Sequence, residues 1–322
     1  MSYSLNQLYK VAGLSKQAFH QSLRRQDIFI EKLYELFVQV DVLKADHPGC
    51  GVEKMYYTLN PDFIGRDRFI DLMMEAGYRV KKHKNYIKTT IPGHYKYPNL
   101  IEGSMVTGID QVWQSDITYI LVGSDYYYGV FIIDVYSKRI VGYNVSNNMR
   151  AESNEKALKM AFKLRANNEL SKLIHHSDRG SQYTSDSYTK LLKEHNVSIS
   201  MGMVATDNAY AERINGTIKN EFLKYRNMKT LKDLKREVSK AVKYYNKKRP
   251  HNHLSRMTPE NFENHLIDLN IQERPKVTIY TDGNDKIKEA SRLYDLDPEK
   301  GLWVHNCPIF NEILINQLSG QH

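Results

Sequence analysis

Apolar and polar positions follow two different periods along this chain. Near the start, Leu5, Leu8 and Val11 share one helical face, Gly13 interrupts it, Ser15 stands in an N-cap position, and Ala18, Phe19 and Leu23 resume the stripe. This predicts two short helices around a turn over residues 4–25, ending at Arg24-Arg25. A helix-turn-helix and a generic helical hairpin both satisfy the pattern. After the Asp46-His47-Pro48-Gly49 turn, helical spacing returns over 52–59, breaks at Pro61, and resumes over 66–76, with Gly77 as a C-cap. From residue 112 the period shortens to two. It predicts strands over 112–121, 126–135 and 139–145, the last two joined by Tyr136-Ser137-Lys138. A helix follows over 150–167, burying Ala157, Leu158, Ala161, Phe162 and Leu164. Then come a strand over 172–177, a helix over 185–195, a strand over 197–201, and helices near 208–224 and 231–247. Strands first, then alternating helices and strands, is the order of a mixed α/β sheet covered on both faces.

The pattern divides the chain into a helical unit over 1–44, a second over 45–88, a polar linker over 89–108, an α/β core over 109–265 and an extension over 266–322. In the extension, 277–280 reads as a strand and 286–293 as a short helix, without a motif that assigns a role.

Charge adds a partner to this picture. Forty-six Lys and Arg against 37 Asp and Glu leave a net charge of +9, and the bases cluster in Lys81-Lys82-His83-Lys84, Lys235-Arg236 and Lys247-Lys248-Arg249. Clustered bases point to a polyanion such as DNA. Arg66, Arg68, Arg79 and the lysines at 81, 82 and 84 surround the second helical unit, which makes it the stronger candidate DNA-binding element. Cys50 and Cys307 alone cannot build a tetrahedral zinc site, so no structural zinc is expected. A reducing cytoplasm suits them, and no uninterrupted apolar run reaches the roughly 18 residues of a membrane span.

Three segments carry candidate chemistry: "WQSDITY" with Asp116, "HHSDRGSQYTS" with Asp178, and "DNAYAERINGTIKNE" with Glu212. Asp116 sits inside a strand pattern, where a carboxylate needs compensation for its lost hydration, and a divalent cation supplies it. Asp178 leads into a Gly turn, and His176, two residues earlier on an extended strand, is placed to line the same site. On a helix, Asn215, Gly216 and Lys219 lie on Glu212's face, with Asp207-Asn208 ahead of it as a cap. The 23 tyrosines include Tyr126-Tyr127-Tyr128 and Tyr244-Tyr245, which read as core and strand aromatics rather than nucleophiles. No Ser-His-Asp spacing or phosphate-cradling Gly loop is present in the sequence.

Together with "YYNKKRPHNHLSRMTPENF", these segments resemble the catalytic subunit of the IS-three family of insertion-sequence transposases over roughly residues 45–265. The resemblance implies an RNase H-like, retroviral-integrase-like core preceded by small all-α helix-turn-helix units that bind DNA. It makes Asp116, Asp178 and Glu212 a DDE triad holding two Mg²⁺ ions, replaceable by Mn²⁺. The 33 residues between Asp178 and Glu212 are slightly fewer than the family's usual spacing, and the shortfall lies in 201–206. Expected DNA contacts are Lys219, Asn215, Arg213, Arg179, Arg66, Arg68, Lys81, Lys82 and Lys84. The implied activity is cleavage at transposon ends followed by strand transfer into target DNA, by a homo-oligomer in the bacterial cytoplasm, associated with the nucleoid when on DNA. A partner from the upstream frame, carrying a helix-turn-helix and a leucine zipper, is also implied. The rival readings are an RNase H-fold nuclease without strand transfer and a non-catalytic DNA-binding regulator.

Overall fold

The computed structural model describes residues 15–80, 97–202, 205–279, 294–297 and 302–305, with Tyr9 and Gly13. The predicted cap is present: Ala18 donates its backbone N–H to Ser15 Oγ at 3.1 Å. The helix it starts, α1 (Lys16–Asp46), does not stop near residue 25 but runs for 31 residues. Apolar residues at helical spacing continue through Phe29, Leu33, Leu36, Val40 and Leu43, and no Gly or Pro interrupts them before Pro48-Gly49. The second half of α1 therefore packs with α2 (Val52–Leu59) and α3 (Arg66–Glu75) around Met55, Phe69 and Met73. Gly77 ends α3 at φ +85°, a left-handed backbone that a side chain resists, and Tyr78 N–H caps Met73 O at 3.0 Å.

The core is a five-stranded sheet in which residues 140–146, 125–134, 112–122, 174–177 and 198–201 follow one another from edge to edge. β2 (Val112–Val122), β3 (Asp125–Asp134) and β4 (Ile140–Ser146) form an antiparallel meander, while β5 (Ile174–Ser177) and β6 (Ser198–Met201) add in parallel. This is an RNase H-like sheet, as expected. Alternation sorts its side chains to two faces. Trp113, Val130, Ile132 and Val141 pack with α4 (Ala151–Leu164) and α5 (Asp186–Glu194). Ile120, Val122, Phe131 and Ile133 pack with α6 (Ala209–Thr217) and α7 (Leu231–Lys247). At Gly142 the backbone of α4 comes so close that a Cβ would lie 2.1 Å from Ala157 O.

Residues 97–108 form part of this core. Ile101 and Val106 are buried beneath Phe262 and Leu266 of α8 (Pro259–Ile267), and β1 (Met105–Val106) pairs antiparallel with β7 (Val277–Thr278). The strand expected over 277–280 thus finds its partner in the expected linker. β8 (Tyr294–Asp297) and β9 (Leu302–His305) form a separate antiparallel pair. The short helix expected over 286–293 and Lys81, Lys82 and Lys84 lie outside the described residues. Among the described residues, no helix is long and apolar enough to cross a membrane.

Candidate active site

Alternation decides where Asp116 points. It shares the parity of Ile120 and Val122 and pairs across the sheet with Phe131, so it faces α6. Asn215, on α6, donates Nδ2–H to Asp116 Oδ2 at 2.8 Å. Burial, reinforced by the charges of Asp178 and Glu212, pushes the Asp116 carboxyl up to about 7, against the pull of the Ile117 backbone N–H and the Asn215 amide. Three elements thus bring their acids into one field: Asp116 mid-β2, Asp178 just past β5, and Glu212 in the first turn of α6.

Burial also raises Asp178, although Gly180 N–H donates to its Oδ1 at 3.0 Å. Glu212 is more exposed and is raised by burial alone. No basic side chain forms a salt bridge to any of the three among the described residues. Nor are three His, Cys, Asp or Glu side chains there already drawn around one point. The donor set is three hard carboxylates, none in a salt bridge among the described residues, which fits a hard divalent cation that would complete the cluster.

The groups that hold these acids were not evident in the sequence. Gln114, completely buried beside Asp116 in β2, donates Nε2–H to Asp207 O at 3.0 Å and accepts the Tyr210 and Ala211 N–H groups at 3.0 and 3.4 Å. It therefore caps α6 from another element. The expected local cap works differently: Asn208 makes no side-chain cap bond and instead donates to Ser115 O at 2.8 Å, tying the helix to the strand. Tyr183, buried behind Asp116 and Asp178, shares a hydrogen bond with Ser115 Oγ at 2.9 Å. A fully buried amide inside a strand was the available signal for Gln114, since its donors and acceptor require partners.

Other expected residues take varied places. His176 Nδ1 lies 2.8 Å from Ser200 Oγ on β6, and burial holds its pKa down at about 4, so the ring is a neutral tie between strands. Lys219 is half-buried; burial lowers its pKa and the Asp116 charge opposes this. Asn215 is engaged by Asp116, Arg213 is exposed, and Arg179 is half-buried next to Asp178. In the helical unit, Arg66 pairs with Asp67 at 2.8 Å and Arg68 lies over the Phe29 ring at 4.7 Å.

The α6 helix does not continue regularly to 224: after Thr217 it opens into a π-turn, Ile218–Phe222, and a 3-10 turn, Leu223–Tyr225. Glu221, in the π-turn, accepts Lys54 Nζ at 2.6 Å, His47 Nε2 at 2.8 Å, and Arg249 Nε and Nη2 at 2.8 Å each. Gly49 N–H donates to Glu221 O at 2.7 Å, and a Cβ on Gly49 would lie 2.4 Å from Glu221 Cα. The His47 ring stacks on Phe222 at 4.2 Å. The Asp-His-Pro-Gly turn thus docks the helical unit onto the element that carries Glu212, and Arg249, just past α7, completes the clamp.

Comparison with known proteins follows the same lines. One integrase core domain model matches residues 107–206 and a second matches residues 195–259. The insertion element IS600 uncharacterized 31 kDa protein of Shigella sonnei is 34% identical over 209 residues, covering 63% of this chain and 76% of that protein. The transposase for insertion sequence element IS904 of Lactococcus lactis is 34% identical over 172 residues, covering 52% and 66%. Among solved structures, the HTLV-2 integrase catalytic core domain in complex with magnesium is 19% identical, with a TM-score of 0.40, covering 51% of this chain and 99% of that one.

Proposed function

Because this chain belongs to the IS-three family of insertion-sequence transposases, we propose that Asp116, Asp178 and Glu212 are the DDE triad of a polynucleotidyl transferase that cuts transposon ends and joins them to target DNA. The observation that supports this reading is Asp116 itself, a strand carboxylate raised to about 7 by burial and by two acids from two other elements, with no salt-bridge partner among the described residues. The three carboxylates would hold divalent cations, two Mg²⁺ with Mn²⁺ as a substitute. Such ions, when bound, activate the attacking oxygen and offset the charge developing on the phosphate.

The chain's own residues supply placement. Asn215 fixes Oδ2 of Asp116 and so orients the carboxylate toward α6. Gln114 and Asn208 lock α6 against β2, so Glu212 is aimed by a rigid element. Lys219, in the field of Asp116, offers a cation for a phosphate beside the acids. The partners under this reading are terminal inverted repeats and target DNA, bound by at least two chains, with an upstream-frame helix-turn-helix protein as a further component. The test is to incubate purified protein, Mg²⁺, a labelled pre-nicked end and a target plasmid. Joined product lost in Asp116→Asn, Asp178→Asn and Glu212→Gln, with end binding retained, supports the assignment; hydrolysis without joining in wild type favours a nuclease instead.

A further inference from the structure

At 1.5 Å per residue, α1 is about 46 Å long, yet residues 16–28 are exposed all round and only its second half packs on α2 and α3. An isolated helical segment of about 13 residues is marginal in water. Along its outer face run Phe19, Leu23, Ile30 and Tyr34, exposed by 36, 40, 53 and 76%. The intervals of four, seven and four residues read the same in both directions about a point between Gln26 and Asp27.

The charges beside this stripe are ordered too. Lys16, His20 and Arg24 follow one another at four-residue spacing, and then Asp27, Glu31 and Glu35 do the same. None forms a salt bridge among the described residues. Like charges at this spacing repel within one helix, so the acidic run does not stabilise α1 alone. We propose that this face of α1 pairs antiparallel with α1 of a second copy of this chain. A two-fold axis between Gln26 and Asp27 sets Phe19 against Tyr34 and Leu23 against Ile30 of the second copy. In such a pair each flank meets itself, reversed, so Glu35 of the second copy falls between Lys16 and His20, and Glu31 between His20 and Arg24. A parallel pair would instead set this flank against the opposite flank of the second copy, so the basic and acidic runs would not meet. The interface is isologous, as a closed dimer requires. It involves no residue of the catalytic core, so it stands whether or not the triad assignment holds.

The test is sedimentation of the full-length protein without DNA at low salt. Wild type is expected to dimerise; Glu31→Lys with Glu35→Lys weakens the dimer roughly tenfold, as a set of exposed charge pairs would. Adding Lys16→Glu and Arg24→Glu to that variant restores it. These side chains are exposed, so circular dichroism should show the helix retained in every variant. Three results would overturn the proposal: a monomeric wild type, a dimer indifferent to the reversed charges, or a swap that fails to restore it.

Discussion

At the residue scale, Asp116 has one oxygen engaged by Asn215, and its charge is opposed by no salt bridge among the described residues. Replacing it with Asn keeps the shape and removes the ligand charge. Asp116→Asn, and likewise Asp178→Asn and Glu212→Gln, should each abolish cleavage and strand transfer while DNA-end binding persists; substantial joining by any one variant would remove that residue from the triad. Lys219 is a separate case, because its proposed part is charge rather than ligation. Lys219→Ala should slow strand transfer from pre-nicked ends more than Lys219→Arg, and equal rates in both and wild type would exclude a phosphate contact. Gln114 shows how a residue without reactive chemistry controls the site. Gln114→Leu keeps the volume but leaves two N–H groups and a carbonyl without partners, so unfolding should cost about 2–4 kcal/mol less than in wild type. Strand transfer should fall as well, because the same bonds aim α6.

At the element scale, the decisive segment is the helix that carries Glu212 and then opens into a π-turn. That turn presents Glu221 to His47 and Lys54 on one side and Arg249 on the other. Charge-assisted bonds from Arg249 and His47 hold the Glu221 carboxyl far below its usual value of 4.5 despite the opposing effect of burial. The sign of the pH effect follows. A depressed carboxylate contributes its full stabilisation above the ordinary glutamate range and loses it as pH falls through that range toward the folded pKa. Glu221→Gln leaves Arg249 buried beside a neutral amide and should cost about 3–5 kcal/mol at neutral pH. Urea unfolding should show the gap to wild type narrowing steadily once the pH drops below 4.5, the ordinary value of this carboxyl. A gap that is unchanged at acid pH would mean that packing, not charge, carries the clamp.

At the scale of the whole molecule, a helical unit and an α/β core are joined by contact as well as by chain. The net charge of +9 is spread along the chain, with basic runs in the sequence at 81–84, 235–236 and 247–248. DNA binding should therefore weaken steeply with salt, log affinity falling by about 0.9 per neutralised phosphate for each unit of log salt. A filter-binding series from low to physiological salt measures that slope. A nearly flat series would show that phosphate contacts carry little of the binding. Joining DNA that begins at separate places needs two ends held together, so active complexes should contain at least two chains; light scattering on labelled ends reports the number.

The sequence by itself determined most of the elements. Alternation located the meander and the parallel strands to within two residues, Ser15 and Gly77 marked real helix ends, and three motifs singled out the acids proposed as the triad. These are local signals: a period of two or 3.6, a hydroxyl before a helix and a Gly after one act over a few residues. The length of α1 was legible in apolar spacing that runs unbroken to Leu43, but only the tertiary structure decided that its second half alone packs against α2 and α3. It also decided that residues 97–108 are core rather than linker, since β1 exists only because β7 lies beside it. The same holds for the two residues that aim the site. Gln114 caps α6 from 95 positions upstream of Ala209, and Glu221 gathers partners from His47 to Arg249. A buried amide or carboxylate announces in sequence that it needs partners, but which partners it meets depends on register and on how helices dock, and those are properties of the folded chain.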